Sequence, residues 1–292
     1  MKKIISFILC YLIISGIYVC AVADNTSSRA VIGADLTSEQ RQLVYETFSV
    51  PQGSVTELTL TNAEERQYLE GYVDSDVIGT KSISCVYVEL REQGSGMNIT
   101  TNNVTWCSTD MYTGALATAG ITDAKIIVAA PFPVSGTAAL AGVYKAYEDI
   151  TGQSIDSLAK DAGTQELTVT GELAQDIGSY DSASIVQELK LILNETQKMS
   201  DEELRNTIVS IASRYGVSLT ETQIGQLVSL CRTLEKLDTD TLKDKVSDVQ
   251  GTLGKIAEAK DQVAGFLQTL KNLVDSLQKI FEKMQSILDN FK

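Results

Sequence analysis

The chain of 292 residues contains no histidine, only three prolines and a single tryptophan. The absence of histidine excludes Ser-His-Asp and Cys-His catalytic arrangements, because both use an imidazole as the general base. It also excludes zinc and iron sites with histidine ligands. Acid–base chemistry would fall to Asp, Glu, Lys, Tyr or Cys side chains. A histidine-free hydrolase stays open as a lesser alternative, and the sequence indicates no catalytic residue, cofactor or metal ligand.

Basic residues are also in short supply. The chain has 24 Lys and Arg residues against 38 Asp and Glu residues, which gives a net charge of −14. Such a charge repels phosphate backbones and anionic lipid headgroups. We therefore expect no nucleic-acid partner and no electrostatic docking on an anionic membrane.

The N-terminus has the pattern of a secretory signal peptide. Two lysines precede an apolar run, and Ala21 and Ala23 form a small-x-small cleavage site before Asp24. The pattern predicts a signal peptide over residues 1–23 and export through the general secretory route to the cell envelope or the extracellular space. An uncleaved membrane anchor is the alternative, because the apolar run is slightly long. Cleavage would change the net charge to −16 and leave no membrane span.

Helix and strand patterns alternate in the first half of the chain. Between Val55 and Ala130 the predicted order is β-α-β-β-α-β, with strands at "SVTELTLT", "SISCVYVEL", "MNITTNNVTW" and "DAKIIVAA". This is the order of a ferredoxin-like fold. With a helix at "DLTSEQRQLVYETF" before it and one at "SGTAALAGVYKAYEDITG" after it, the pattern predicts an α+β domain over residues 24–152.

The second half, residues 153–292, is predicted to be an all-α helical region, because strand signals fade and no proline follows Pro133. Apolar residues recur at alternating steps of four and three from Leu242 to Phe291. This heptad spacing predicts a long C-terminal amphipathic helix, of coiled-coil character, over about 240–291. Its apolar face either packs on the rest of the chain or mediates self-association or binding to a partner, and both alternatives stay open.

Two cysteines fall in neighbouring predicted strands. If these strands form a hairpin in which Val86 pairs with Trp106, Cys85 lies opposite Cys107. An exported protein meets an oxidising environment that permits a disulfide. We therefore predict a bridge between Cys85 and Cys107, with two unpaired core thiols as the alternative.

The loop "PFPVSGT", residues 131–137, connects a predicted strand to a predicted helix. The free backbone N–H groups of a helix start can bind an anion. Ser135, Gly136 and Thr137 are therefore candidate ligand-binding residues. The alternative is a structural corner in which Ser135 or Thr137 caps the helix.

Several segments in one order resemble the YpuA-like family, a domain of unknown function (DUF1002) in secreted proteins of Gram-positive-type bacteria. They include "GADLTSEQRQ", "TNAEERQYLEG", "IGTKSISCVYVEL" and "DAKIIVAAPFPVSGTAALAGVYKAYE". The resemblance is strong over residues 31–149 and looser in the helical remainder. It implies an exported, envelope-associated protein and brings no activity, cofactor or catalytic residue.

We therefore expect a non-enzymatic binding or assembly protein with an unknown protein or envelope partner. The first alternative is a small-ligand or peptide-binding module that uses the 131–137 loop.

Overall fold

A computed structural model describes residues 27–73 and 75–247 and has the mixed α+β architecture expected from the sequence. The elements in chain order are β1 (Ser28–Gly33), α1 (Ser38–Phe48), β2 (Thr56–Leu60), α2 (Asn62–Leu69), α3 (Ser75–Ile78), β3 (Cys85–Leu90), β4 (Met97–Val104), α4 (Thr109–Thr118), β5 (Ala124–Val134), α5 (Thr137–Thr151), α6 (Ser157–Ile177), α7 (Ser179–Leu191), α8 (Leu193–Thr196), α9 (Asp201–Arg214) and α10 (Glu221–Leu234). A further helical segment covers 239–247.

The five strands form one mixed sheet in the order β2-β1-β3-β5-β4. β1 is parallel to β2 and β4 is parallel to β5, whereas β3 is antiparallel to both of its neighbours. The predicted ferredoxin-like order is therefore wrong. β5 separates β3 from β4, and β1, which was not predicted, pairs with both β2 and β3. The apolar "AKIIVAA" of β5 suits an interior position, whereas β4 is rich in Thr and Asn, exposes most of its side chains and suits an edge.

Alternating side chains give the sheet two apolar faces. On one face, Ala30 and Ile32 pack with Tyr45 and Phe48 of α1. On the other, Val31 and its neighbours pack against α4 and α5, and the α5 backbone comes close because Gly142 has no side chain: a Cβ there would lie 3.1 Å from Val86 Cγ2. The sheet is thus covered on both sides, and the larger core lies under α4 and α5.

The predicted disulfide depended on a β3–β4 hairpin that does not form. Val86 pairs with Val128 of β5 instead of Trp106. Cys85 packs in the core under α1, whereas Cys107 packs in the core on the opposite side of the sheet. Both residues are buried free thiols in the structure.

The helical region builds a second core from α6, α7, α9 and α10. α6 also packs directly on α4, so the two halves of the chain share an interface. Leu242 and Val246, the first residues of the predicted heptad helix, are buried in the second core. The rest of that helix and the predicted signal peptide lie outside the described residues. Within 27–73 and 75–247, no helix has the length and apolar character needed to cross a bilayer.

Candidate functional site

A cavity of about 460 Å³ opens where β4 and β5 end and α5 begins. Its walls come from residues 76–81 and 83–84, from the Thr105–Trp106 pair that follows β4, and from Phe132, Val134, Ser135 and Ala138, and Glu65 of α2 completes the lining; Gly136 and Thr137 do not line it. A larger cavity of about 570 Å³ lies between α7 and α9, but its charged residues, Glu188 and Arg214, form an ion pair with each other. The first cavity is the better candidate, because it contains a buried charged group without such a partner.

The chain reaches this cavity by extending β5 through Pro131 and Pro133 to Val134, which pairs with Val104. The two prolines therefore lie in the strand rather than in a turn. β4 has a bulge between Asn102 and Val104, where the pairing register shifts. A proline cannot donate to a strand ladder, so it is tolerated at such an irregular strand end.

The three sequence-predicted site residues have different places at this corner. Ser135 lines the cavity, and its hydroxyl donates to the backbone oxygen of Val77 at 3.0 Å. Gly136 has a φ of 95° and accepts a hydrogen bond from the Tyr112 hydroxyl at 2.6 Å. Thr137 is fully buried and donates to Glu65 Oε1 at 3.3 Å. The predicted caps are wrong, because the N-cap of α5 is Gly136 and no side chain caps the helix.

Glu65 is the functional candidate that sequence reasoning missed. It lines the cavity, is only 1% exposed, and its Oε2 has no hydrogen-bond partner within the described residues. No Lys or Arg of that part of the chain forms an ion pair with it. Burial raises the pKa of Glu65 to about 7, although Thr137, Asn62 and the charge of Arg66 oppose the shift.

The local sequence explains how Glu65 comes to face inward. Asn62 and Glu65 have the i, i+3 spacing of a capping box, but Thr61 and Glu64 form the box in the structure. Glu65 therefore lies in the first turn, four residues before the buried Leu69. The i, i+4 spacing puts both on one face of α2, and this is the signal that could have identified Glu65.

Trp106 and Phe132 supply aromatic surface to the cavity. Phe132 is 43% exposed, so part of its ring is open to solvent. Trp106 is held from the far side by α6, because a Cβ at Gly171 would lie 2.4 Å from its ring. The cavity thus combines aromatic surface with one buried carboxyl group. No cluster of three or more Cys, Asp or Glu side chains in the described ranges is arranged to hold a metal ion.

Comparison with known proteins gives the chain a family. The model of a family described as "Protein of unknown function (DUF1002)" matches residues 32–251. The chain belongs to this family. The match confirms the resemblance inferred from the sequence, and it spans most of the sheet, the candidate cavity and the described helical region. The chain is also 34% identical over 263 residues to the uncharacterized protein YpuA of Bacillus subtilis (strain 168), which covers 88% of each chain. No solved structure matches.

Proposed function

We propose that this protein is an exported, envelope-associated binding protein whose cavity at the start of α5 holds a small ligand or a peptide segment. The observation that supports this most is the cavity with Glu65 in its wall. Its volume of about 460 Å³ lies in the range of small-molecule sites, which are mostly apolar with a few placed polar groups. The 131–137 loop forms one wall, which favours the ligand-binding alternative from the sequence.

The contacts of Ser135 favour binding over hydrolysis. A serine nucleophile needs a base that accepts its proton. The Ser135 hydroxyl instead donates to the Val77 carbonyl oxygen, and its other contact is the Thr137 hydroxyl at 3.3 Å. Among the described residues no carboxylate or amine is within hydrogen-bond distance of Ser135 Oγ, so the pair that covalent catalysis requires is not assembled.

A blocked cavity tests the binding proposal. Thr80 is exposed and lines the cavity, so Thr80→Tyr should fill part of its volume. Thr56 is equally exposed but lies on the edge strand β2, outside the cavity lining, so Thr56→Tyr is the matched control. A panel of small molecules and short peptides would be screened by thermal shift. Compounds that stabilise the wild type and Thr56→Tyr should not stabilise Thr80→Tyr. Equal stabilisation of all three proteins would contradict a site in this cavity.

Export has its own test. The pattern of Lys2, Lys3 and the apolar run predicts that the mature chain begins at Asp24. N-terminal sequencing of the protein from the culture medium and envelope fraction should find Asp24 first. Recovery of intact chains that begin with Met1 from the cytoplasm would contradict export.

A further inference from the structure

We propose that the cavity selects a ligand with a primary ammonium group, which pairs with Glu65 Oε2 while an apolar part lies against Trp106 and Phe132. This inference rests on the proposed binding function and names its ligand class. It comes from the contacts of Glu65 and of one other buried carboxylate in the same chain.

The fold shows how it satisfies a buried glutamate elsewhere. Glu166 of α6 is 2% exposed, and the ammonium group of Lys190 lies 3.0 Å from its Oε1. Thr118 donates to its second oxygen. Glu65 is buried to the same degree and has a threonine on one oxygen, but it lacks the ammonium group on the other. A ligand amine would give Glu65 the partner that Lys190 gives Glu166.

The surroundings of Glu65 favour a cation over an anion. The carboxylate of Glu65 already lies at the start of α5, where a helix N-terminus stabilises a negative charge. An anionic ligand would place a second negative charge beside this buried one, which is unfavourable. Arg66 forms no ion pair with Glu65, since its guanidinium donates to the Gly79 oxygen at 2.6 Å and to Asn62 Oδ1 at 3.2 Å; its charge lowers the pKa of Glu65 by less than burial raises it. Cys107 and Tyr112 also interact electrostatically with Glu65, but burial raises the pKa of both thiol and phenol, so neither ionises near neutral pH.

The rest of the lining fits a short apolar body. Ile83 and Val134 add apolar surface to the lining, while the charged residues Asp76 and Lys81 are exposed. Transfer of an apolar chain of several carbons from water into the cavity favours binding, and the carboxylate of Glu65 binds the ammonium group. A lysine side chain or a small aliphatic or aromatic amine has this form.

The single tryptophan makes the inference measurable, because Trp106 lines the cavity. It also lines a second cavity beside Gly171 of α6, so loss of the fluorescence change in Thr80→Tyr would assign the change to the first cavity. The probes are n-hexylamine, n-hexanol and hexanoate, which share a chain length and differ in charge. Titrations at pH 8 would compare the wild type, Glu65→Gln and the surface control Glu92→Gln, which removes the same charge from an exposed loop. The wild type and the control should bind hexylamine at least tenfold more tightly than hexanol. Glu65→Gln should bind the two with equal affinity, and its hexanol binding shows that its cavity is intact.

Each of the other possible titration results would contradict a specific part of the proposal. If the wild type binds all three probes equally, or prefers hexanoate, the cavity binds ligands but the cationic selection is wrong. If Glu65→Gln keeps the preference for hexylamine, Glu65 is not the anchor; the unpartnered Asn62 Nδ2 would then be its structural partner after a small movement. If none of the probes binds any of the proteins, both the ligand class and the cavity as their site are contradicted.

Discussion

The buried carboxyl group of Glu65 should give the protein a distinctive pH dependence. Its pKa rises from an ordinary value of 4.5 to about 7 in the folded state. Between these values the folded protein holds a proton that the unfolded chain has released, so stability falls as the pH rises. Stability from this group is therefore fully present below pH 4.5 and is lost as the pH passes through 7. Each pKa unit between 4.5 and about 7 corresponds to about 1.4 kcal/mol, so the free energy of unfolding falls by about 3 kcal/mol over this range.

Replacement of Glu65 with Gln isolates this effect. The amide resembles the protonated acid in shape and cannot ionise. The unfolding free energy of Glu65→Gln should therefore not fall in this way as the pH rises. The other carboxylates are common to both proteins and cancel in the comparison. No histidine contributes, because the chain contains none.

The measurement is urea unfolding of both proteins at several pH values from 4.5 to 8. The unfolding free energy of Glu65→Gln should rise relative to that of the wild type by about 3 kcal/mol across this range. If the difference in unfolding free energy stays constant with pH, the pKa of Glu65 is not raised by folding, because the group then titrates in the folded protein as it does in the unfolded chain.

Three further substitutions test other parts of the structure. Glu166→Ala leaves the ammonium group of Lys190 buried without its carboxylate, so urea unfolding should show that the free energy of unfolding falls by about 3–5 kcal/mol. A fall of less than about 1 kcal/mol would contradict a buried ion pair. Gly33→Ala places a Cβ 2.3 Å from the backbone oxygen of Ser82, so the melting temperature should fall in line with a loss of about 1–3 kcal/mol, and an unchanged value would contradict this close approach. Ser135→Ala removes one hydrogen bond to a backbone carbonyl, so it should cost about 1 kcal/mol and preserve the preference for hexylamine over hexanol; loss of that preference would assign the amine selection to the hydroxyl.

Local signals in the sequence predicted most helices and strands correctly. Thr37 and Gln40 have the i, i+3 spacing of a capping box and form that box at the start of α1. The sheet order was not predictable in the same way, because pairing depends on contacts between distant segments. Val86 of β3 pairs with Val128 of β5 rather than with the following strand. The short strand β1 was missed, since "SRAVIG" is buried on both faces and shows no alternation.

The sequence predicted only the part of the candidate site that can be recognised from neighbouring residues in the chain. Ser135 stood out because it lies between a strand and a helix, and it does line the cavity. Glu65 was missed, because its environment is set by Thr137, which lies 72 residues further along the chain. A glutamate in the first turn of a helix normally faces solvent; the i, i+4 spacing to Leu69 indicates which face of α2 it is on, and the tertiary structure shows that this face is buried.

A crystal structure of the protein with n-hexylamine, grown at pH 8, would show whether Glu65 holds the ammonium group. We expect the amine in the cavity, with its nitrogen about 2.7–3.2 Å from Glu65 Oε2 and its carbon chain against Trp106. An amine bound elsewhere, or one in the cavity that points away from Glu65, would contradict this proposal.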